Sequence, residues 1–118
     1  MIRKEYINEY TLTKFVWSVF ATAKEDGMRL SHVGLYIYIT QINQTLKWSE
    51  FFKLPSGQTS DQCGVTYKTY IKLFEDLERF GLLKTVKESH NQHEARTITI
   101  QTELLRTYIE GGGAIAAR

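Results

Sequence analysis

Apolar residues recur every three or four positions in two stretches of the first half of the chain, which is the spacing of an amphipathic helix. Residues 11–24 form the first stretch, and it predicts a helix that Gly27 ends. Residues 32–46 form the second stretch, which begins after Ser31, a residue type that caps helices. The second stretch is apolar enough to be the central helix of a hydrophobic core.

An aromatic connector follows these two helices. Trp48, Phe51 and Phe52 lie close together in the sequence, and the connector leaves room for a short strand. Ser56 can then cap a short helix, which we predict over residues 57–63.

A long helical pattern covers residues 66–80, after Gly64 has ended the short helix. Thr66 is a good N-cap for this long helix, and Gly81 is suited to end it. The spacing predicts one buried and one exposed side. The predicted buried side chains are Tyr70, Leu73, Phe74, Leu77 and Phe80, and the predicted exposed ones are Tyr67, Lys68, Lys72, Glu75, Asp76 and Arg79.

Two segments in which apolar and polar residues alternate come next, and they predict a β-hairpin around a polar tip. The strands are predicted at residues 82–88 and 95–100, followed by a short helix over residues 102–110 and a flexible Gly-rich tail over residues 111–118. The side chains predicted to point inward are Leu82, Val86, Ile98 and Ile100.

This order of elements predicts a mainly α fold with a small β-hairpin, which belongs to the α+β class. Core helix, short helix, turn, long helix and hairpin is the order of a winged helix-turn-helix domain. Such a domain most often contacts a DNA groove with the start of its long helix and the DNA backbone with its hairpin, the wing. We predict an N-terminal helical extension at residues 1–27, the winged-helix domain at 28–101, and a short helix and tail at 102–118.

Composition limits the classes of function that this chain can have. A length of 118 residues suits one domain, and a net charge of +2 does not by itself indicate a nucleic-acid binder. Cys63 is the only cysteine, which excludes an internal disulfide and suits the cytoplasm. No apolar run reaches the roughly 20 residues that span a bilayer, and no signal peptide is evident, so we expect a cytoplasmic protein without membrane contact.

Several local strings resemble one family of replication proteins. Residues 30–38 and 48–56 resemble the opening of the DnaD-like N-terminal domains of replication-initiation and primosomal proteins, which are common in phages and mobile elements. Residues 63–83 are similar to the recognition helix of that family, and residues 88–92 to its wing tip. The resemblance covers roughly residues 14–101. It implies a role in replication initiation, with transcription control as the alternative. Replication proteins of this family usually carry a further helical domain, so we expect either a lone module or one domain of a longer product.

The first turn of the long helix can bring hydroxyl groups and a lysine to DNA, and a helix N-terminus adds backbone donors and partial positive charge. The alternative is that Lys68 and Lys72 are solvated surface lysines that do not contact DNA. Residues 66–96 contain six basic and five acidic residues, so a monomer should bind double-stranded DNA weakly and a homodimer should bind it better. The predicted groove contacts are Thr66, Tyr67, Lys68, Thr69 and Lys72, and the predicted contacts to the backbone or minor groove are Lys84, Lys87, Asn91, Gln92 and Arg96.

The N-terminal helix is the predicted dimerisation element, because exposed aromatic residues favour interfaces. Packing of this helix within its own chain is the alternative. A related hypothesis makes the whole domain a protein-interaction module that binds a replisome or phage protein. The predicted dimerisation residues are Phe15, Trp17, Val19 and Phe20.

No residues of this chain predict catalysis or a cofactor. Cys63 is interpreted as a small buried core residue, and His32 as a residue that packs near the core. His90 and His93 invite interpretation as metal ligands, but a polar hairpin loop is favoured because no third ligand has suitable spacing. We therefore expect neither an enzyme nor a metal site.

Overall fold

The computed structural model describes residues 9–46, 50–87 and 95–110. These residues form a mainly helical molecule with a small antiparallel sheet, so the predicted α+β class is confirmed. None of the described helices is both long and apolar enough to cross a membrane. The elements in chain order are α1 (Glu9–Ala23), a 3₁₀ turn (Lys24–Asp26), α2 (Leu30–Thr45), β1 (Phe52–Pro55), α3 (Ser56–Gln62), α4 (Tyr67–Arg79), β2 (Leu83–Lys87), β3 (Ala95–Ile100) and α5 (Glu103–Glu110).

Glycines end the helical segments where the sequence predicts. Gly27, Gly64 and Gly81 all have positive φ angles, of 98°, 72° and 81°. After α4 the amide of Leu82 donates to the carbonyl of Leu77 at 3.0 Å, which closes the last turn around Gly81. A residue with a Cβ atom would be strained in this left-handed conformation.

Two predicted helix caps are wrong. Ser31 lies inside the first turn of α2, which begins at Leu30, whereas a helix capped by Ser31 would begin at residue 32. The N-cap position belongs to Arg29, whose backbone N–H donates to Nδ1 of His32 at 2.8 Å. A histidine three residues into the helix therefore satisfies the amide that a capping-box Glu usually satisfies. Ser56 likewise lies inside α3, and Pro55 occupies the N-cap.

One hydrophobic core joins α1, α2, α4 and α5 to the inner face of the sheet. The ring of Phe15 on α1 lies 6.5 Å from that of Tyr36 on α2 and 5.5 Å from that of Tyr108 on α5. These contacts hold α1 against both helices. Other fully buried side chains of the core are Leu12, Val16, Met28, Ile39, Leu54, Tyr70, Phe74, Leu77, Leu82, Ile98 and Leu105.

The three strands have the spatial order β1-β3-β2, and both pairs are antiparallel. One face of the sheet is buried against the helices. Ile98 and Ile100 lie on this inner face, as predicted, and Phe52 and Leu54 join them from β1. Leu82 is also buried, immediately before β2.

Val86 departs from the prediction because β2 contains a bulge. Thr85 lies opposite Ile98 and Lys87 lies opposite Thr97, so Val86 is an extra residue without a partner in the register. Val86 is 51% exposed, and its predicted inward position is wrong. A bulge interrupts the alternation on which that prediction depended.

Candidate nucleic-acid interface

The first turn of α4 is polar and open to solvent. Thr66 is the N-cap, as predicted, and its Oγ1 accepts the backbone N–H of Thr69 at 3.1 Å. Lys68 and Thr69 are exposed, whereas Tyr67 is half-buried with its ring 6.5 Å from that of Tyr70. The first turn thus presents one lysine, hydroxyl groups and backbone donors to the surroundings.

The β-hairpin strands run back along α4. Near the end of the helix, the carboxylate of Glu78 accepts the backbone N–H of Thr85 on β2 at 2.9 Å. One turn earlier on the helix, the guanidinium of Arg96 on β3 lies 4.5 Å from the centre of the Phe74 ring. Arg96 is two residues nearer the hairpin tip than Ile98, the partner of Thr85, so the contacts move toward the start of α4 as the hairpin approaches its tip.

Lysines of two strands share the solvent side of the sheet. Lys84 lies opposite Thr99 and Lys87 opposite Thr97, and these two threonines are two residues apart on β3. Because side chains two apart point to the same side of a strand, the bulge brings both lysines to one face. Lys53 on β1 also lies opposite Thr97. We call Lys53, Lys84, Lys87, Thr97 and Thr99 the outer sheet face.

Lys53 was missed by the sequence prediction. The connector before it left room for a strand but did not locate one, so the direction of its side chains was undefined. Alternation of buried Phe52 and Leu54 with exposed Lys53 is the signal that could have identified it.

Asp76 was predicted to be exposed, and this is wrong. It is 8% exposed and lies on the side of α4 that faces α2. Its Oδ2 is 2.9 Å from Nε2 of His32, and its Oδ1 accepts from Lys72 at 3.3 Å and from Arg79 at 3.4 Å. Lys72, a predicted groove contact, is therefore already paired with a carboxylate, although its side chain remains 72% exposed.

The hydrogen bonds of His32 fix which ring nitrogen carries the proton. Nδ1 accepts the amide of Arg29, so Nε2 carries the proton and donates to Asp76. Burial acts to raise the pKa of Asp76, but hydrogen bonds from His32, Lys72 and Arg79, together with the Lys72 charge, hold that pKa below its usual value. Both ring nitrogens are thus occupied within the fold, which leaves this His–Asp pair no free base for a substrate.

Arg96 cannot make the predicted contact to the DNA backbone in this conformation. It is 7% exposed, its guanidinium stacks on the Phe74 ring, and it donates to Oγ1 of Thr85 at 3.3 Å. Its inward-facing position on β3 places its charge over the Phe74 ring of α4. The predicted contacts of Asn91 and Gln92 lie outside the described residues.

The four predicted dimerisation residues of α1 differ in their exposure. Phe15 is 0% exposed and Val19 is buried, so the core of their own chain covers both and neither can contact a second copy. Trp17 is 44% exposed, and its ring packs edge-on against that of half-buried Phe20 at 5.8 Å. Dimerisation through α1 remains a prediction that only Trp17 and Phe20 can support.

Cys63 is half-buried beside the core, and burial raises the pKa of its thiol. The raised pKa lowers the fraction of reactive thiolate. No group of three metal-ligating side chains occurs within residues 9–46, 50–87 and 95–110. The two histidines considered as metal ligands, His90 and His93, lie outside these ranges.

Comparisons of this chain with protein-family models, with curated proteins and with solved structures find no match.

Proposed function

We propose that this chain binds double-stranded DNA as a winged helix-turn-helix protein. The observation that supports the proposal is that an exposed polar first turn of α4 is followed in the chain by a hairpin whose lysines share one face. In this proposal Lys68 and Thr69 enter a groove, and Lys84 and Lys87 contact backbone phosphates. The element order α2-β1-α3-α4-β2-β3 is compatible with this class of domain.

The biological role that we propose is replication initiation in a phage or mobile element. Its support is the resemblance of residues 30–38, 48–56 and 63–83 to DnaD-like domains. Transcription regulation is the alternative within the same fold, because both roles use the same duplex-binding geometry.

The charges of the proposed interface favour weak binding by a monomer. Lys68, Lys84 and Lys87 are exposed and form no ion pair with another described residue. Three neutralised phosphates give a slope of log K against log salt of about −3, which is that of a weak, non-specific binder. We therefore propose a homodimer on DNA, since two copies double these contacts.

Fluorescence anisotropy with a mixed-sequence duplex at about 50 and 200 mM salt tests the proposal. We expect Lys68→Ala to weaken binding and to reduce the salt slope by about 0.9. Lys24→Ala, which removes an exposed lysine from the turn after α1, is the matched control and should leave both quantities unchanged. Equal effects of the two substitutions would show that net charge alone attracts the duplex.

A second candidate function, a protein-interaction module, is favoured by the aromatic surface of α1. Tyr10 is 71% exposed, with the ammonium group of Lys14 over its ring at 5.0 Å, and Trp17 lies farther along the same helix. Absence of duplex binding at low salt, together with a larger mass in solution that Trp17→Ala reduces, would favour this function over DNA binding.

A further inference from the structure

The outer sheet face is a second basic surface of the molecule. Lys53, Lys84 and Lys87 are exposed on it, with the half-buried Thr97 and Thr99 of the central strand among them. No acidic side chain lies on this face among the described residues of the three strands. Among the described residues of the three strands, three positive charges thus stand together on this face without an acidic side chain, although the chain as a whole has a net charge of only +2.

Phe51 adds an aromatic ring to the edge of this surface. It immediately precedes β1 and is 54% exposed, whereas the next residue, Phe52, is buried. Phe51 lies at the bend that leads into β1, two residues before Lys53, so the Cα atoms of these two residues are no more than about 7 Å apart. An exposed ring beside several cations combines a platform for base stacking with groups that neutralise phosphates.

We propose that the outer sheet face binds single-stranded nucleic acid, with Phe51 stacking on a base and the three lysines contacting phosphates. The occupant is a single strand because the bases of a duplex are stacked on one another and expose no face to Phe51. Adjacent strands are about 4.8 Å apart, so Lys53 and Lys87 on the two edge strands lie about 10 Å apart across the sheet and contact different phosphates.

The proposed single-strand site overlaps the proposed duplex site, because the two share Lys84 and Lys87. Phe51 and Lys53 belong to the outer sheet face alone, whereas Lys68 belongs to the first turn of α4. Substitutions at these residues therefore affect the two activities separately, and the single-strand site does not depend on the proposed function.

The test measures binding of labelled oligothymidylate and oligouridylate, each about 12 nucleotides long, by fluorescence anisotropy. We expect Phe51→Ala to weaken binding by at least about fivefold, the loss of one stacked base. Lys53→Ala should reduce the salt slope by about 0.7, the value for one single-strand phosphate. Leu30→Ala and Lys24→Ala remove an exposed apolar residue and an exposed lysine elsewhere and should change neither quantity.

The outcomes separate this inference from the proposed function. Single-strand binding that depends on Phe51 and Lys53 but not on Lys68 supports the inference. Absence of single-strand binding, or binding that Phe51→Ala and Lys53→Ala leave unchanged, overturns it. Loss of duplex binding alone would overturn only the role of α4. Circular dichroism of each variant checks that it is folded. We expect Phe51→Ala and Lys53→Ala to fold because both side chains are exposed.

Discussion

Replacing Asp76 by asparagine should lower the stability of the fold. The side-chain amide would keep an oxygen that accepts the Nε2 proton of His32, but the negative charge would be lost. A hydrogen bond to a charged group contributes about 1 kcal/mol more than one between neutral groups. The pairs with Lys72 and Arg79 involve exposed cations and contribute about 0.5 kcal/mol each. We therefore expect the free energy of unfolding to fall by about 2 kcal/mol at pH 7.

The dependence of this difference on pH provides a sharper test. The pKa of Asp76 lies below its ordinary value of 3.8 in the folded chain, so its charge stabilises the fold above that pH. The stabilisation is lost as the pH falls through the lowered pKa, and the difference between wild type and Asp76→Asn should shrink there. Urea unfolding at neutral and acidic pH measures this difference in the free energy of unfolding. Glu75→Gln, which alters an exposed carboxylate on the same helix, is the control and should change stability by less than about 0.5 kcal/mol. An Asp76→Asn difference that is absent at pH 7, or equally large at acidic pH, would refute this reasoning.

Two further predictions concern α1 and the cysteine. Phe15→Ala should cost about 3–5 kcal/mol in urea unfolding, because Phe15 is fully buried against Tyr36 and Tyr108. Trp17→Ala should cost less than about 1 kcal/mol, and a Phe15→Ala variant as stable as Trp17→Ala would contradict the placement of α1 in the core. The thiol of Cys63 should react with iodoacetamide more slowly in the folded chain than in urea, because its pKa is raised by burial. Equal rates in both states would show that the thiol is open to solvent.

Local chemistry was sufficient to predict the helices near their observed bounds. The α4 helix was predicted over residues 66–80 and observed over Tyr67–Arg79, because Thr66 caps its start and Gly81 ends it. Both signals act within one turn of the helix end and need no information about the rest of the fold.

The wrong predictions concern side chains whose surroundings come from distant parts of the sequence. Asp76 is buried because His32, 44 residues earlier, supplies a proton donor from α2. Arg96 turns inward because the Phe74 ring receives its guanidinium. Helical and strand periods assign charged residues to the solvent side by default, so they cannot identify a charge that a tertiary contact satisfies.

The candidate interface was predicted in part. Lys68 and Thr69 were identified from their position in the first turn of α4, which periodicity fixes. The common face of Lys84 and Lys87 depends on a bulge, which alternation alone does not predict. Their separation of three residues would otherwise place them on opposite sides of the sheet.

The bulge at Val86 also bears on the solubility of the chain. An edge strand with unpaired amides and carbonyls is a template for pairing with another chain, which leads to aggregation. On β2, the bulge interrupts the regular pairing of the strand, and Lys84 and Lys87 add charge. The carboxylate of Glu78 accepts the backbone N–H of Thr85, so that group cannot pair with another chain. On the opposite edge, β1 is only four residues long and ends in Pro55, which has no amide to donate. Both edges of the sheet thus resist strand addition, so concentrated samples should form no amyloid-like fibres while the fold is intact.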